Sequence, residues 1–159
     1  DLYREDEEIG MKIRKGKTKD IGKCAYIEHL VWKENIETIK NDLAKQVKDK
    51  DYLFFVLEKK GEVIGFLTAK RHEWNKSFYV ERLYMAEKER NKGYGSRLID
   101  KIISIARLEK MRIIFVDAGE NNKDALRFYE RNGFRKTGYI KDFYNDPNDK
   151  NGIVLCYKL

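Results

Sequence analysis

The chain has 159 residues, of which 42% are hydrophobic and 13% aromatic, and its net charge at pH 7 is +7. This length predicts one domain with its own hydrophobic core, and the composition excludes a disordered chain. No apolar run approaches the roughly 18 residues of a membrane-spanning helix, so we expect no membrane partner. Charges of both signs are dispersed, so we expect no nucleic-acid partner and keep a basic nucleic-acid-binding module as an alternative.

The cysteines and histidines are few and far apart. Cys24 and Cys156 have neither metal-ligand spacing nor the pattern of a disulfide framework, and two histidines are too few for a histidine-based metal site. We therefore expect no metal ion and a reducing cytoplasm as the location.

The first ten residues differ from the rest. They carry five carboxylates and no apolar segment, and Met11 begins a stretch that is typical of a natural start. We expect residues 1–10 to be an N-terminal extension or a cloning remnant, and residues 11–159 to form a single domain.

Hydrophobic periodicity predicts strands and helices on both sides of a glycine-rich stretch near the middle of the chain. The predicted strands are 11–15, 52–57, 63–69, 78–85, 111–116, 135–143 and 153–159, and the predicted helices are 18–33, 36–47, 96–108 and 123–132. This order indicates an α+β fold of three layers, in which helices cover both faces of a central mixed sheet.

The most informative segment is residues 89–98, Glu-Arg-Asn-Lys-Gly-Tyr-Gly-Ser-Arg-Leu, between a predicted strand and a predicted helix. Gly93 and Gly95 let the backbone pass close to a ligand. The helix that follows offers unpaired N–H groups and the positive end of its dipole. Arg90, Lys92 and Arg97 add positive charge. The segment therefore predicts a phosphate-binding turn.

Two other phosphate-binding motifs fit less well. A dinucleotide fold is suggested by Asp117, which lies 22 residues beyond Gly95, close to the spacing of a ribose-binding carboxylate. However, Leu98 occupies the position of the third glycine, where a large side chain prevents close packing of helix and strand. A Walker loop is excluded because its glycine and lysine spacing does not occur.

Two motifs together resemble the GNAT N-acetyltransferase superfamily. Arg90-x-x-Gly93-x-Gly95 is similar to the acyl-CoA signature of that family, and Asn122-x-x-Ala125-x-x-Phe128-Tyr129-x-x-x-Gly133-Phe134 is similar to its second signature. Their order and separation also agree with the family, as does the order of elements over residues 11–159. One departure is Glu87, at a position where the family usually has proline. Within the family, the ribosomal-protein alanine, N-alpha and polyamine acetyltransferase branches are the most similar.

The resemblance implies a GNAT-like, mostly antiparallel sheet and acetyl-CoA as the acetyl donor. It implies that the phosphate-binding turn holds the pyrophosphate, and that a bulged strand before it opens a slot whose backbone pairs with the pantetheine arm. The residues expected to bind acetyl-CoA are Leu83, Tyr84, Met85, Arg90, Asn91, Lys92, Gly93, Tyr94, Gly95, Ser96, Asn122 and Tyr129. Ordinary structural roles are also open: Leu83 and Met85 as core, Asn122 as a helix cap, Tyr129 as a packing residue.

Three chemical roles follow for direct acetyl transfer through a ternary complex. Tyr129 is expected to protonate the leaving thiolate, because a phenol has a pKa of about 10 and a thiol one of about 8.5. A backbone N–H near Tyr84 and Met85 is expected to stabilise the oxyanion. The base is Glu81, whose side chain we expect on the same face as Leu83 and Met85, or Asp117, or a water relay. Each acid could instead be structural, Glu81 in an ion pair and Asp117 as a loop cap.

The acceptor is less determined than the donor. Deprotonation at pH 7 costs roughly 1.4 kcal/mol for an α-amine and roughly 4.6 kcal/mol for a polyamine nitrogen, so a weak base suits a protein N-terminus or a small amine. The positive net charge disfavours a polyamine unless the acceptor cleft is locally acidic. Aromatic residues in 138–144 are similar to a hairpin that lines the peptide groove in α-amino acetyltransferases. A non-catalytic acyl-CoA sensor is the alternative, and both monomer and homodimer are open.

Overall fold

The computed structural model describes residues 10–159 and the backbone of residues 6–8. Eight strands and four helices are present in this part of the chain. The strands are β1 (Asp6–Glu8), β2 (Met11–Lys15), β3 (Tyr52–Lys59), β4 (Glu62–His72), β5 (Ser77–Met85), β6 (Ile113–Gly119), β7 (Arg135–Ile140) and β8 (Gly152–Lys158). The helices are α1 (Ile21–Trp32), α2 (Ile36–Lys48), α3 (Tyr94–Leu108) and α4 (Lys123–Arg131).

The eight strands form one sheet in the order β1-β2-β3-β4-β5-β6-β8-β7. All neighbours pair antiparallel except β5 and β6, which are parallel. The predicted mixed, mostly antiparallel sheet is therefore confirmed. Each predicted strand and helix is also present, and the differences lie at the ends of elements.

Three differences from the predicted elements stand out. Residues Thr18–Asp20 form a 3-10 turn, so α1 begins later than predicted. Helix α3 begins at Tyr94 rather than at residue 96, because Gly93 precedes it in the left-handed conformation and acts as its N-cap residue. Strand β1 was not predicted, since acidic side chains dominate its sequence; it pairs with β2 at the edge of the sheet.

Hydrophobic clusters on the two faces of the sheet explain the three layers. One cluster joins the sheet to α3 and α4 and includes Leu98, Ile102 and Leu126. The other joins the sheet to α1 and α2 and includes Cys24, Ile39 and Leu43. The apolar stripes of the four helices face inward, so tertiary burial stabilises each helix more than its intrinsic propensity does.

Strands β5 and β6 pair over three residues only. The paired positions are Ser77–Tyr79 and Ile113–Phe115, and beyond them the two strands separate. Close to this point β5 carries a bulge: Val80 pairs with Ala69 and Arg82 with Thr68, so Glu81 has no opposite residue on β4. A bulge bends and twists its strand. The bulged strand and open slot that the family resemblance implied are therefore present.

The first prediction concerns the core that carries this slot. Ile102 is fully buried on α3, whereas Leu108 on the same helix is 58% exposed. Ile102→Ala should lower the free energy of unfolding by roughly 2–5 kcal/mol, because it leaves a cavity in addition to the lost transfer free energy. Leu108→Ala is the matched control and should change it by less than about 1 kcal/mol. Urea denaturation of both variants measures this, and equal losses would contradict the assigned core.

Candidate active site

The glycine loop (residues 89–96) connects β5 to α3 through two left-handed residues. Asn91 has φ of 61° and Gly93 has φ of 83°, a region that favours glycine. Gly95 has a different reason, because a Cβ there would lie 3.2 Å from the ring of Phe128 on α4. Gly93 is therefore required by the backbone, and Gly95 by the close approach of the second signature to the first.

The positive side chains of the glycine loop have partners of their own. Arg90 Nε donates to the carbonyl oxygen of Met85 at 3.1 Å, which fixes the end of β5 against the loop. Lys92 lies 3.4 Å from the carboxylate of Glu89, and Lys59 lies 3.0 Å from the same group. The hydrogen bond from Lys59 lowers the pKa of Glu89. Arg90 and Asn91 line the adjoining cleft, whereas Lys92 is engaged by Glu89.

A cleft of about 1330 Å³ lies where β5 and β6 separate. One part of it, which we call the donor half after the acetyl donor that the resemblance implies, is lined by Leu83, Tyr84 and Met85 of β5, by Gly93–Ser96 of the glycine loop, and by Asn122, Ala125, Phe128 and Tyr129 of the second signature. The other part, which we call the acceptor half, is lined by Val31 and Trp32 of α1, by Glu34 after that helix, by Glu81 and Asp117, and by Tyr144, Asp146 and Asp149 before β8. One continuous cleft thus contains both signatures and both candidate bases.

Two residues of the second signature have structural roles and still line the cleft. Asn122 Oδ1 accepts the backbone N–H of Ala125 at 3.2 Å, which caps α4. Tyr129 is packed between Phe128 and Phe134, with ring centroids 5.2 and 5.5 Å away. Burial raises the pKa of the Tyr129 phenol, so it keeps its proton at neutral pH. Among the described residues its hydroxyl has no hydrogen-bond partner, and it lies at the wall of the cleft.

Asp117 accepts hydrogen bonds from two tyrosines that the sequence did not single out. Tyr79 donates to its Oδ2 from β5, and Tyr144 donates to its Oδ1 from the segment between β7 and β8. Burial, and then the hydrogen bond to Asp117, raises the pKa of both phenols. Register is the reason for the first contact, since Tyr79 pairs with Phe115, two residues before Asp117. For the second, the only signal in the sequence was the aromatic segment 138–144, which includes Tyr144 but did not predict its contact with Asp117.

Glu81 points to the opposite face of the sheet from the one predicted. Because the bulge adds a residue, its side chain lies with α2 rather than beside Leu83 and Met85, which pack on the α3 face. Its carboxylate accepts from Tyr52 Oη at 2.9 Å and from Gln46 Nε2 at 3.0 Å. The expectation of shared side-chain direction was wrong, since a bulge reverses the alternation of a strand. Glu81 nonetheless lines the cleft.

The cleft is acidic although the chain is basic. Eight carboxylates line it, against three guanidinium groups: Glu28, Glu34, Glu81, Glu89, Asp117, Asp124, Asp146 and Asp149 against Arg90, Arg127 and Arg131. The local formal charge is thus opposite in sign to the net charge of +7. Two of these carboxylates pair with cations outside this lining, Glu28 with Arg82 and Glu89 with Lys59 and Lys92, and carboxylates remain in excess when these cations are counted.

Neither a metal-ligand cluster nor a membrane-spanning helix occurs in the described part of the chain. No group of three or more His, Cys, Asp or Glu side chains there is arranged to hold a metal ion. No helix within residues 10–159 has the length and apolar character needed to cross a bilayer.

Comparison with known proteins gives a consistent family. The sequence profile of the Acetyltransferase (GNAT) family matches residues 18–134. An N-alpha-acetyltransferase of Sulfurisphaera tokodaii is 23% identical over 150 residues, covering 87% of this chain and 88% of that protein. Ard1 from Thermoplasma volcanium has the same fold, with a TM-score of 0.81 at 23% identity over 94% of this chain and 98% of that one.

Two further relatives match over a part of their length. A spermine/spermidine N(1)-acetyltransferase of Bacillus subtilis is 31% identical over 87 residues, which cover 50% of this chain and 57% of that protein. An uncharacterized N-acetyltransferase of Methanocaldococcus jannaschii is 30% identical over 93 residues, or 55% of this chain, and the match spans only 41% of the relative.

The second prediction tests whether Gly93 is needed for its left-handed backbone conformation, by comparing it with a glycine in an ordinary helical conformation. Gly93→Ala places a side chain at φ of 83° and should lower the free energy of unfolding by about 1–2 kcal/mol. Gly22 on α1 is helical, and a Cβ added there would meet no atom within 4 Å, so Gly22→Ala should raise that free energy by up to about 1 kcal/mol. The same substitution is thus expected to have opposite signs, measured by urea denaturation. A neutral Gly93→Ala would contradict the assigned loop conformation.

Proposed function

Because the chain belongs to the Acetyltransferase (GNAT) family, whose acyl donor is acetyl-CoA, we propose that it acetylates a primary amine bound in the acceptor half of the cleft. The acceptor is a protein N-terminus or a small amine. The observation that carries this proposal is a cleft between the separated strands that is lined both by the glycine loop after β5 and by the hydrogen-bonded carboxylate of Asp117 on β6.

Acetyl-CoA binding is supported by three features of the donor half. The first N–H groups of α3 suit a pyrophosphate, since helix N-termini bind anions. Beyond Tyr79 the β6-facing edge of β5 has no strand partner among the described residues, so the amide groups of a pantetheine arm can pair with it. The side-chain nitrogen of Asn122 has no partner in residues 10–159 either, because only its oxygen is used by the cap, and it can donate to the same arm.

The reaction proceeds by direct attack of the amine on the thioester carbonyl. A new C–N bond forms, the carbonyl oxygen takes up negative charge, and the C–S bond then breaks to release the thiolate. A backbone N–H near Tyr84 and Met85 stabilises the oxyanion, and Tyr129 gives its proton to the thiolate. Burial raises the pKa of Tyr129, which keeps the phenol protonated at neutral pH and also makes it a weaker acid. The transfer therefore requires that the same burial raise the pKa of the leaving thiol.

Asp117 is the better supported base. Both oxygens of Asp117 accept from phenols, so a proton from the amine reaches it through a tyrosine hydroxyl: Tyr144 accepts the proton and passes its own to Asp117. Glu81 is held by Tyr52 and Gln46 on the α2 face, which favours a role in acceptor binding.

A polyamine is the second candidate for the acceptor. The excess of carboxylates along the cleft attracts an amine that carries further positive charge, and the B. subtilis relative is named for spermine and spermidine. The amine of a protein N-terminus costs less free energy to deprotonate at pH 7, roughly 1.4 rather than 4.6 kcal/mol.

Both cysteines are free, which agrees with the cytoplasm as the proposed location.

The third prediction tests the acid. Tyr129→Phe should lower kcat about 10²-fold or more, because a positioned general acid contributes on this scale, while the Kd of acetyl-CoA stays within about twofold because the ring and its packing are retained. Turnover is followed by thiol release and Kd by calorimetry. An equal loss of both quantities would refute the acid role.

The fourth prediction tests the base and the acceptor together. Asp117→Asn should reduce turnover about 10²-fold or more, and Asp124→Asn is the matched control, because Asp124 lines the cleft but pairs with the exposed Arg127. The assay compares peptides with free N-termini, polyamines and amino acids. Thiol release with any of these amines excludes a non-catalytic sensor. A parent protein that binds acetyl-CoA and acetylates none of them would favour the sensor instead.

A further inference from the structure

The bulge in β5 turns two successive polar side chains toward the same helices. In a regular strand Glu81 and Arg82 would point to opposite faces. Here both contact residues of α1, α2 or β3 on one face, while Val80 and Leu83 on either side pack into the α3 cluster. The face of the sheet covered by α1 and α2 therefore supplies the polar partners of both side chains that the bulge turns toward it.

Arg82 has the most buried of these partners. Its Nε lies 3.0 Å from Glu28 Oε2 on α1, and its Nη2 lies 3.5 Å from Asp42 Oδ2 on α2. The Glu28 side chain is 5% exposed and the Arg82 side chain 13%, whereas that of Asp42 is 47% exposed. Glu28 and Arg82 thus form a buried ion pair between α1 and the strand, and Asp42 is a peripheral member.

A second contact joins α1 to β5 two residues further along. Trp32 Nε1 donates to Tyr84 Oη at 2.8 Å, and the Tyr84 ring packs against Phe66 at 5.8 Å. Arg82 and Tyr84 alternate with Leu83 and Met85, which line the donor half of the cleft. Helix α1 therefore holds the side chains on one face of the segment whose backbone edge borders the donor half.

We propose that the Glu28–Arg82 pair is a positioning device that holds the bulged half of β5 as a docking edge for the pantetheine arm of acetyl-CoA. Stability alone is a poor explanation, because a buried ion pair costs desolvation and an apolar pair of similar volume is often as stable. The pair instead fixes the direction of the Arg82 side chain. Because Arg82 must face Glu28 on α1, the faces to which residues 83–85 point are fixed as well. The proposal rests on the proposed use of acetyl-CoA.

The test compares two ligands on the full chain. Acetyl-CoA uses both the glycine loop and β5, whereas 3′-phosphoadenosine 5′-diphosphate, the nucleotide half of the donor, lacks the arm that reaches β5. Glu28→Gln should raise the Kd of acetyl-CoA about tenfold and leave the Kd of the nucleotide within about twofold, both measured by calorimetry. Asp42→Asn is the matched control and should change neither Kd by more than about twofold.

The results separate this proposal from the one on which it rests. An unchanged acetyl-CoA Kd in Glu28→Gln, or an equal rise for both ligands, overturns the positioning role. A parent protein that binds neither ligand overturns the proposed function instead. If Glu28→Gln does not fold, Arg82→Lys takes its place, because it keeps the charge but removes the Nε–H that lies within 3.3 Å of both Glu28 oxygens; the same selective loss for acetyl-CoA is then expected, and its absence overturns the proposal.

Discussion

The separation of two parallel strands is the constraint on which the rest of this molecule depends. Strands β5 and β6 share three paired positions and then diverge, and the bulge at Glu81 bends β5 at that point. A sheet interior normally satisfies every backbone group. Here an edge of β5 has no strand partner among the described residues, in the middle of an eight-stranded sheet. The glycine loop, α4 and the segment before β8 all border the space that results.

Several residues around that space combine structure with chemistry. Gly95 permits α3 to approach Phe128, so the two signatures meet as one wall. The side-chain oxygen of Asn122 caps α4, and the same residue lines the cleft. Tyr129 packs edge-on against two phenylalanines, which fixes the direction of its hydroxyl. In Asn122 and Tyr129 a structural contact fixes the position of the polar group, so the structural interpretation of each residue is compatible with the proposed functional one.

The cleft is acidic, whereas the protein as a whole carries a positive net charge. Dispersed lysines and arginines account for the net charge, yet carboxylates from distant segments converge on the acceptor half. Such a distribution raises the local concentration of cationic amines by steering. In the glycine loop, Glu89 engages two lysines, so the proposed phosphate binding relies more on Arg90 and on the backbone amides of α3.

The sequence by itself determined the element types, the mixed sheet, the glycine loop and the second signature, because hydrophobic periodicity, glycine positions and helix caps are local properties. It could not determine the side-chain direction of Glu81, since a one-residue bulge reverses alternation and depends on partners in α2 and β3. Nor could it bring Tyr79 and Tyr144 to Asp117, contacts that span 38 and 27 residues. The register of the β5–β6 pair and the path of the chain before β8 decided these, because only tertiary packing brings such distant residues together.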